Sequence, residues 1–272
     1  MKINATTQLC IIIGDPVAHS LSPAMHNAAY QALGIDDQFV FVAARVRSED
    51  LETVAQAVRA MRIRGLTCTI PHKIEIMQYL DEVDAVAKTI GAVNTVVNIN
   101  GRLVGYNTDW LGVITPLTQR TSLKGKRVAL IGAGGAARAM AYGVTAQGAE
   151  LSIFNRTREN AEEIARDLGG SAYSFDELPQ IQDHDIILNA TSVGMGEQEG
   201  ISPVPPSYLH AGQIVFDAVY KPRQTRLLQD AATAGAECIE GWEMLLHQGT
   251  AQFELYTGKQ APVDIMKQII TP

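Results

Sequence analysis

Val128-Ala129-Leu130-Ile131 runs directly into Gly132-Ala133-Gly134-Gly135-Ala136-Ala137-Arg138, an unbroken apolar stretch emptying into glycines. So short and so apolar a run reads as a strand buried on both faces, as a parallel sheet requires. Gly132 permits a tight turn and Gly134 lets backbone come close to a diphosphate. Ala137 takes the third small position, where helix packs against strand. On this reading Gly132, Ala133, Gly134, Gly135 and Ala136 line the phosphates of a dinucleotide, aided by the dipole of the helix they open. More than a hundred residues precede the turn, so a domain that holds the substrate is expected first.

Downstream of the turn the pattern alternates. Strands are predicted over 127–131, 150–155, 185–189, 213–218 and 236–239, with helices over 136–147, 158–168 and 225–234. This is the doubly wound arrangement. Helical stretches over 242–256 and 262–270 close the chain and are expected to return to the first domain. In a dinucleotide fold the second strand normally ends in an acid that binds the ribose 2′-hydroxyl of NAD. Here it ends in Asn155-Arg156-Thr157-Arg158. Two guanidiniums and two short polar side chains suit a 2′-phosphate, so the pattern favours NADP(H). The same residues also read as a helix start capped by Asn155 or Thr157 with solvated arginines. The missing acid also weakens a methyltransferase reading.

Upstream, strands are predicted over 9–13, 39–43, 65–69 and 93–98. Helices are predicted over 22–33, with Ser22 as cap and Pro23 in the first turn, over 48–62, and from Lys73 to about Lys88. Asn98-Ile99-Asn100-Gly101 reads as a hairpin turn into 102–105. The fold class is therefore α/β: an N-terminal substrate-binding domain (1–110 with 241–272) and a Rossmann-type domain (111–240).

Composition narrows the function classes. A formal charge of −7 with no basic cluster argues against a nucleic-acid partner. No apolar run approaches the roughly 20 residues of a membrane span, and the N-terminus does not read as a signal peptide. Cys10, Cys68 and Cys238 are too scattered for a disulfide framework and read as free thiols of a cytoplasmic protein. The six histidines show no ligand spacing, so no metal is expected.

Two polar clusters follow predicted strands in the first domain. Leu66-Thr67-Cys68-Thr69-Ile70-Pro71-His72-Lys73 leaves a lysine at an expected helix start, where the dipole disfavours a structural cation. Gly105-Tyr106-Asn107-Thr108-Asp109 ends another strand. Taken singly, Lys73 reads more readily as a solvated lysine. Together the clusters make a Lys73–Asp109 couple plausible, since open α/β sheets bind ligands at strand C-termini.

These segments resemble the shikimate dehydrogenase family nearly end to end. Gly14-Asp15-Pro16-Val17-Ala18-His19-Ser20-Leu21-Ser22-Pro23 with His26-Asn27 is similar to the family's opening motif. Thr69-Ile70-Pro71-His72-Lys73, Gly91-Ala92-Val93-Asn94-Thr95 and Asn107-Thr108-Asp109 are similar to its substrate motifs. Asn155-Arg156-Thr157, Asn189-Ala190-Thr191-Ser192-Val193-Gly194-Met195, Tyr220-Lys221-Pro222 and Met244-Leu245-Leu246-His247-Gln248 match the remainder. The wording around Cys68–Lys73 and Asp81–Asp84 is especially similar to the dehydrogenase half of the plant bifunctional dehydroquinase–shikimate dehydrogenase. Thr67, Trp110 and Asn160 stand where asparagine, glycine and arginine are frequent.

The resemblance implies reversible NADPH-dependent reduction of 3-dehydroshikimate to shikimate in aromatic amino-acid biosynthesis. Lys73 and Asp109 would be catalytic. Ser20, Ser22 and Tyr220 would bind the carboxylate, and Thr69, Asn94, Asp109 and Gln248 the ring hydroxyls. Thr191, Ser192, Val193, Met195, Val219, Gly241 and Met244 would join the glycine turn and residues 155–158 around the cofactor. Ser20 and Ser22 also read as a plain loop with a helix cap. A quinate/shikimate dehydrogenase working catabolically with either NAD or NADP is the nearest rival, and Gly249 leans that way by making space. A non-catalytic dinucleotide-binding regulator is a remoter one. Partners are expected to be a small-molecule substrate, without nucleic acid or membrane, in a monomer or homodimer.

Overall fold

The computed structural model describes residues 2–271. The chain divides into two units, Met1–Thr108 with Leu246–Pro272, and Asp109–Leu245. In the first, β1 (Gln8–Gly14), α1 (Ser22–Ala32), β2 (Phe39–Arg45), α2 (Leu51–Ala60) and β3 (Gly65–Cys68) alternate as the sequence predicts. The α2 residues Leu51, Ala55 and Val58 fall on one face and are buried against Ile13, Leu66 and Val96 of the sheet. One helix boundary differs from expectation. Leu21, not Ser22, holds the cap position of α1, and no side chain caps it. Instead the Ser20 Oγ accepts from the Ser22 amide at 3.3 Å.

The long helix expected from Lys73 to Lys88 is not formed. A 3-10 turn at Glu75–Tyr79 is followed by β4 (Glu82–Val83) and the short α3 (Ala85–Ile90). Asp81 explains the break. Its Oδ2 accepts from the Leu103 amide at 2.7 Å while its own amide donates to the Leu103 carbonyl. Asp84 then restarts the helix by accepting from the Val86 amide at 2.9 Å, and Gly91 ends it at φ 72°. Lys73 therefore precedes a 3-10 turn and not an α-helix, so no long helix dipole acts on its ammonium.

Next come β5 (Thr95–Ile99) and β6 (Arg102–Tyr106), an antiparallel hairpin turned by Asn100 and Gly101 at φ 56° and 92°. Two successive positive φ values suit Asn-Gly. The sheet runs β2-β1-β3-β5-β6-β4 and is mixed, because β5 alone runs against its neighbours. The end where β1, β3 and β6 finish is thus also where β5 begins.

The second unit opens with α4 (Asp109–Thr118), for which the sequence alone predicts no element. Gly112 and Pro116 obscure a helical face whose buried members are Asp109, Gly112, Val113, Pro116 and Leu117. Six parallel strands follow: β7 (Arg127–Ile131), β8 (Glu150–Phe154), β9 (Ser171–Tyr173), β10 (Ile186–Asn189), β11 (Ile214–Asp217) and β12 (Glu237–Ile239). The helices α5 (Gly135–Ala146), α6 (Arg158–Leu168) and α7 (Arg226–Thr233) connect them. Strand order β12-β11-β10-β7-β8-β9 is the doubly wound order, and the chain reverses direction between β7 and β10. Val128 through Ile131 are fully buried, and Val128, Leu130 and Ile131 each contribute about 1.5–3 kcal/mol by leaving water. Finally α8 (Gly241–Thr257) begins in this unit and passes into the first at Leu246. There α9 (Val263–Ile270) packs on α1. Among the described residues no helix is long and apolar enough to cross a membrane.

Candidate active site

In the first unit, polar side chains gather at the sheet end that the mixed topology creates. Thr69 follows β3 directly and is drawn to β1, its amide donating to the Ile13 carbonyl at 2.9 Å. Lys73, half-buried, lies in the turn beyond, where its carbonyl accepts from the Val93 amide at 2.7 Å. Asn94 precedes β5 and is nearly completely buried. Its Oδ1 accepts from the Thr108 amide at 2.8 Å and the Thr95 hydroxyl at 2.7 Å, while its Nδ2 donates to the Thr108 Oγ1 at 2.9 Å. Asn94 therefore clamps the end of β6 to the start of β5. The half-buried Ser20 lies between β1 and α1, and the buried Ser22 opens α1.

The helix α8 presents Gln248, Gln252 and Tyr256 at intervals of four, one face of a helix. Gln248 Oε1 lies 3.5 Å from the Asn94 Nδ2. Behind it the Gln252 Nε2 donates to the Thr95 hydroxyl at 2.9 Å, and Thr67 shares a 2.8 Å hydrogen bond with the Tyr256 phenol. Burial pushes that phenol's pKa upward. Sequence reasoning missed Gln252 and Tyr256, although their spacing from Gln248 carried the signal. Thr67, where the family often has asparagine, belongs to this inner layer. Each of these buried groups would cost about 1–3 kcal/mol if left without a partner.

Gly249 does not enlarge a pocket, contrary to expectation. A Cβ there would stand 2.2 Å from the methyl of the fully buried Met25. The glycine permits close packing of α8 on α1 and adds no room for quinate.

The second unit carries the glycine turn and what surrounds it. Gly132 has φ 108°, and a Cβ there would lie 3.0 Å from the Thr191 methyl, so only glycine fits. Gly134, in extended conformation, is the cap residue of α5, and no side chain caps that helix. Its first amides thus remain available to an anion, and a Cβ on Gly134 would meet no protein atom within 4 Å. Ala133 and Ala136 flank the turn and are half-buried. At the end of β8, Asn155 and Thr157 do not cap α6 with their side chains. The Asn155 Nδ2 donates to the Thr157 carbonyl at 2.8 Å. Arg158 is held by Glu162 at 3.1 Å and Glu177 at 3.0 Å. Arg156 is exposed and pairs with no carboxylate among the described residues. Of the two guanidiniums expected to meet a 2′-phosphate, Arg156 is the one uncommitted to an acid. A diphosphate and a 2′-phosphate therefore fit the groups present.

Asp109 is the buried first residue of α4, and Tyr220 is half-buried in the loop after β11. Ser192, Val193 and Met195 form the turn after β10, and Gly241 packs its Cα against the Val219 backbone. Met244 joins the core around β10 and β11.

Family models describing the shikimate dehydrogenase substrate binding domain, shikimate / quinate 5-dehydrogenase and the shikimate 5'-dehydrogenase C-terminal domain match residues 12–96, 117–195 and 241–271. A shikimate dehydrogenase (NADP(+)) of Moorella thermoacetica is 41% identical, over 99% of this chain and 95% of its own. The chain belongs to the shikimate dehydrogenase family. Among solved structures, the family member from Thermus thermophilus, in complex with NADP(H) and shikimate, is 36% identical with a TM-score of 0.89, covering 97% of this chain and 98% of its own. A quinate dehydrogenase from Corynebacterium glutamicum in complex with NAD is 30% identical with a TM-score of 0.86, over 97% and 98%. The family's α/β architecture, with a substrate-binding domain preceding a Rossmann-type domain, is the one found here.

Proposed function

We propose that this protein catalyses the reversible reduction of 3-dehydroshikimate to shikimate with NADPH, an oxidoreductase step in aromatic amino-acid biosynthesis. The reading rests above all on likeness over nearly the whole chain to shikimate dehydrogenases (NADP(+)). Residues 1–110 with 241–272 hold the substrate, and residues 111–240 hold the cofactor. We further infer a cytoplasmic enzyme working as a monomer or homodimer.

Held by the residues named below, NADPH would supply the hydride for the substrate carbonyl carbon, and the carbonyl oxygen would then need a group to stabilise its charge and protonate it. The Lys73 ammonium stabilises that charge and then donates its proton to the oxygen. The Asp109 carboxylate accepts a hydrogen bond from a ring hydroxyl. Thr69, Asn94 and Gln248 read the other ring hydroxyls, with Asn94 held rigid by Thr95 and Thr108. Ser20, Ser22 and Tyr220 take the carboxylate. On the cofactor side, the residues from Gly132 to Ala136 hold the diphosphate. Asn155, Arg156 and Thr157 hold the 2′-phosphate, with Arg158 as an outer cation.

An activity matrix of shikimate and quinate against NADP and NAD tests the reading. The highest kcat/KM is expected for shikimate with NADP. Preference for quinate with NAD would favour the catabolic rival, and binding without any turnover would favour a regulator.

A further inference from the structure

The Asp217 carboxylate has no part in the chemistry above, yet it is fully buried at the end of β11. No cation pairs with it among the described residues. Three uncharged donors hold it instead. The Asn189 Nδ2 at 2.9 Å and the Val219 amide at 3.0 Å donate to Oδ1, and the Thr225 hydroxyl at 2.6 Å donates to Oδ2. Burial pushes its pKa up to about 6 against the pull of those donors. A buried anion so costly is retained here without an ion pair, which calls for a reason beyond packing.

Its contacts supply one. Asn189 ends β10, and its Oδ1 accepts from both the Thr191 amide at 3.0 Å and the Thr191 hydroxyl at 2.7 Å. Thr191 Oγ1 in turn accepts from the Val193 amide at 3.2 Å. One carboxylate therefore fixes the turn after β10 through Asn189 and the turn after β11 through Val219. Thr191 borders the Gly132 turn, and Val219 borders Gly241. Strand order places β10 and β11 on one side of β7 and β8 on the other. With the diphosphate at the β7 turn and the 2′-phosphate at the end of β8, the nicotinamide must extend toward β10 and β11.

We propose that Asp217 is a positioning residue, acting through Asn189 and Val219 to set the two turns that receive the nicotinamide end of the cofactor. The inference rests on the cofactor reading given above. Its consequence is asymmetric. Loss of Asp217 disturbs the nicotinamide end and spares the adenosine end held at β8.

Adenosine 2′,5′-bisphosphate carries the adenosine end alone and is the discriminating probe. Calorimetric titrations of NADPH and of this bisphosphate, with steady-state kinetics, are made on the wild type, Asp217→Ala, Asn189→Ala and Asp217→Asn. Asp217→Ala should lower kcat/KM by about 10- to 100-fold, the scale of an ångström of misplacement, and weaken NADPH clearly. Its affinity for the bisphosphate should stay within about twofold by the same argument. Asn189→Ala breaks the relay but leaves the carboxylate two donors, so it gives the same split if Asp217→Ala does not fold. Asp217→Asn keeps an acceptor oxygen and should restore most of the NADPH affinity. Equal weakening of both ligands, or unchanged NADPH binding in Asp217→Ala and Asn189→Ala, overturns the inference alone. A wild type that binds neither ligand overturns the cofactor reading and this inference with it.

Discussion

Mild acid should loosen the first unit through His26. The ring is fully buried in α1, stacked on Phe41 at 4.4 Å between centroids, with Phe253 at 6.2 Å and Tyr256 at 6.3 Å around it. Neither ring nitrogen has a hydrogen-bond partner among the described residues. Burial alone depresses its pKa from 6.5 to about 3. The folded unit therefore keeps a neutral ring while the unfolded chain takes up a proton below about pH 6.5. Because the unfolded state then binds more protons, stability falls as pH falls. One proton is worth about 1.4 kcal/mol per pH unit, so acidifying to about pH 5 should remove about 2 kcal/mol.

Both tryptophans, Trp110 and Trp242, lie in the second unit, so their fluorescence does not follow this loss. Hydrogen exchange resolved by peptide, read at α1 and β2 and corrected for intrinsic rates, does. His26→Phe keeps an aromatic ring without a titrating group. Its protection at α1 should fall less steeply between about pH 7 and 5 than the wild type's, by the 2 kcal/mol derived above. Equal slopes in the two proteins would refute the reasoning. The second unit should show the reverse tendency. Asp217, raised to about 6 in the fold, favours the folded state as pH drops from 6 toward the ordinary carboxylate range.

Three further outcomes are expected. Lys73→Ala should fold and bind NADPH normally but lose about 10²–10⁴ in turnover; near-normal turnover would remove Lys73 from the mechanism. Arg156→Ala should weaken NADPH about tenfold or more and leave NADH nearly unchanged, as titration of both cofactors would reveal. If both weaken alike, Arg156 holds structure and not phosphate. Gly249→Ala should cost about 1 kcal/mol as the Met25 methyl gives way, measured by denaturant unfolding, with the ratio of shikimate to quinate turnover unchanged. A shift in that ratio would restore Gly249 to the pocket.

Local signals were legible wherever one backbone requirement decided the outcome. The tetrad before Gly132 gave its strand, Asn100-Gly101 gave its hairpin turn, and the apolar spacing of Leu51, Ala55 and Val58 gave the buried face of α2. Elements decided by partners distant in sequence were not legible. Nothing within 73–88 shows that Asp81 bonds to Leu103 and breaks a helix. The interval Gln248, Gln252, Tyr256 marks one helix face but does not reveal that Thr95 and Thr67 await it, 157 and 189 residues away along the chain. Likewise Arg156 and Arg158 look alike until Glu162 and Glu177 engage only the second.

The sequence by itself determined the doubly wound half, the glycine turn, the acid-free end of β8 and the family. These depend on periodicity, φ preference and residue type, which are properties of neighbouring residues. Tertiary structure alone decided which polar groups are spent on one another and which stay available to a ligand. A hydrogen bond satisfied inside the fold is lost to a substrate, and only packing brings donor and acceptor within about 3 Å.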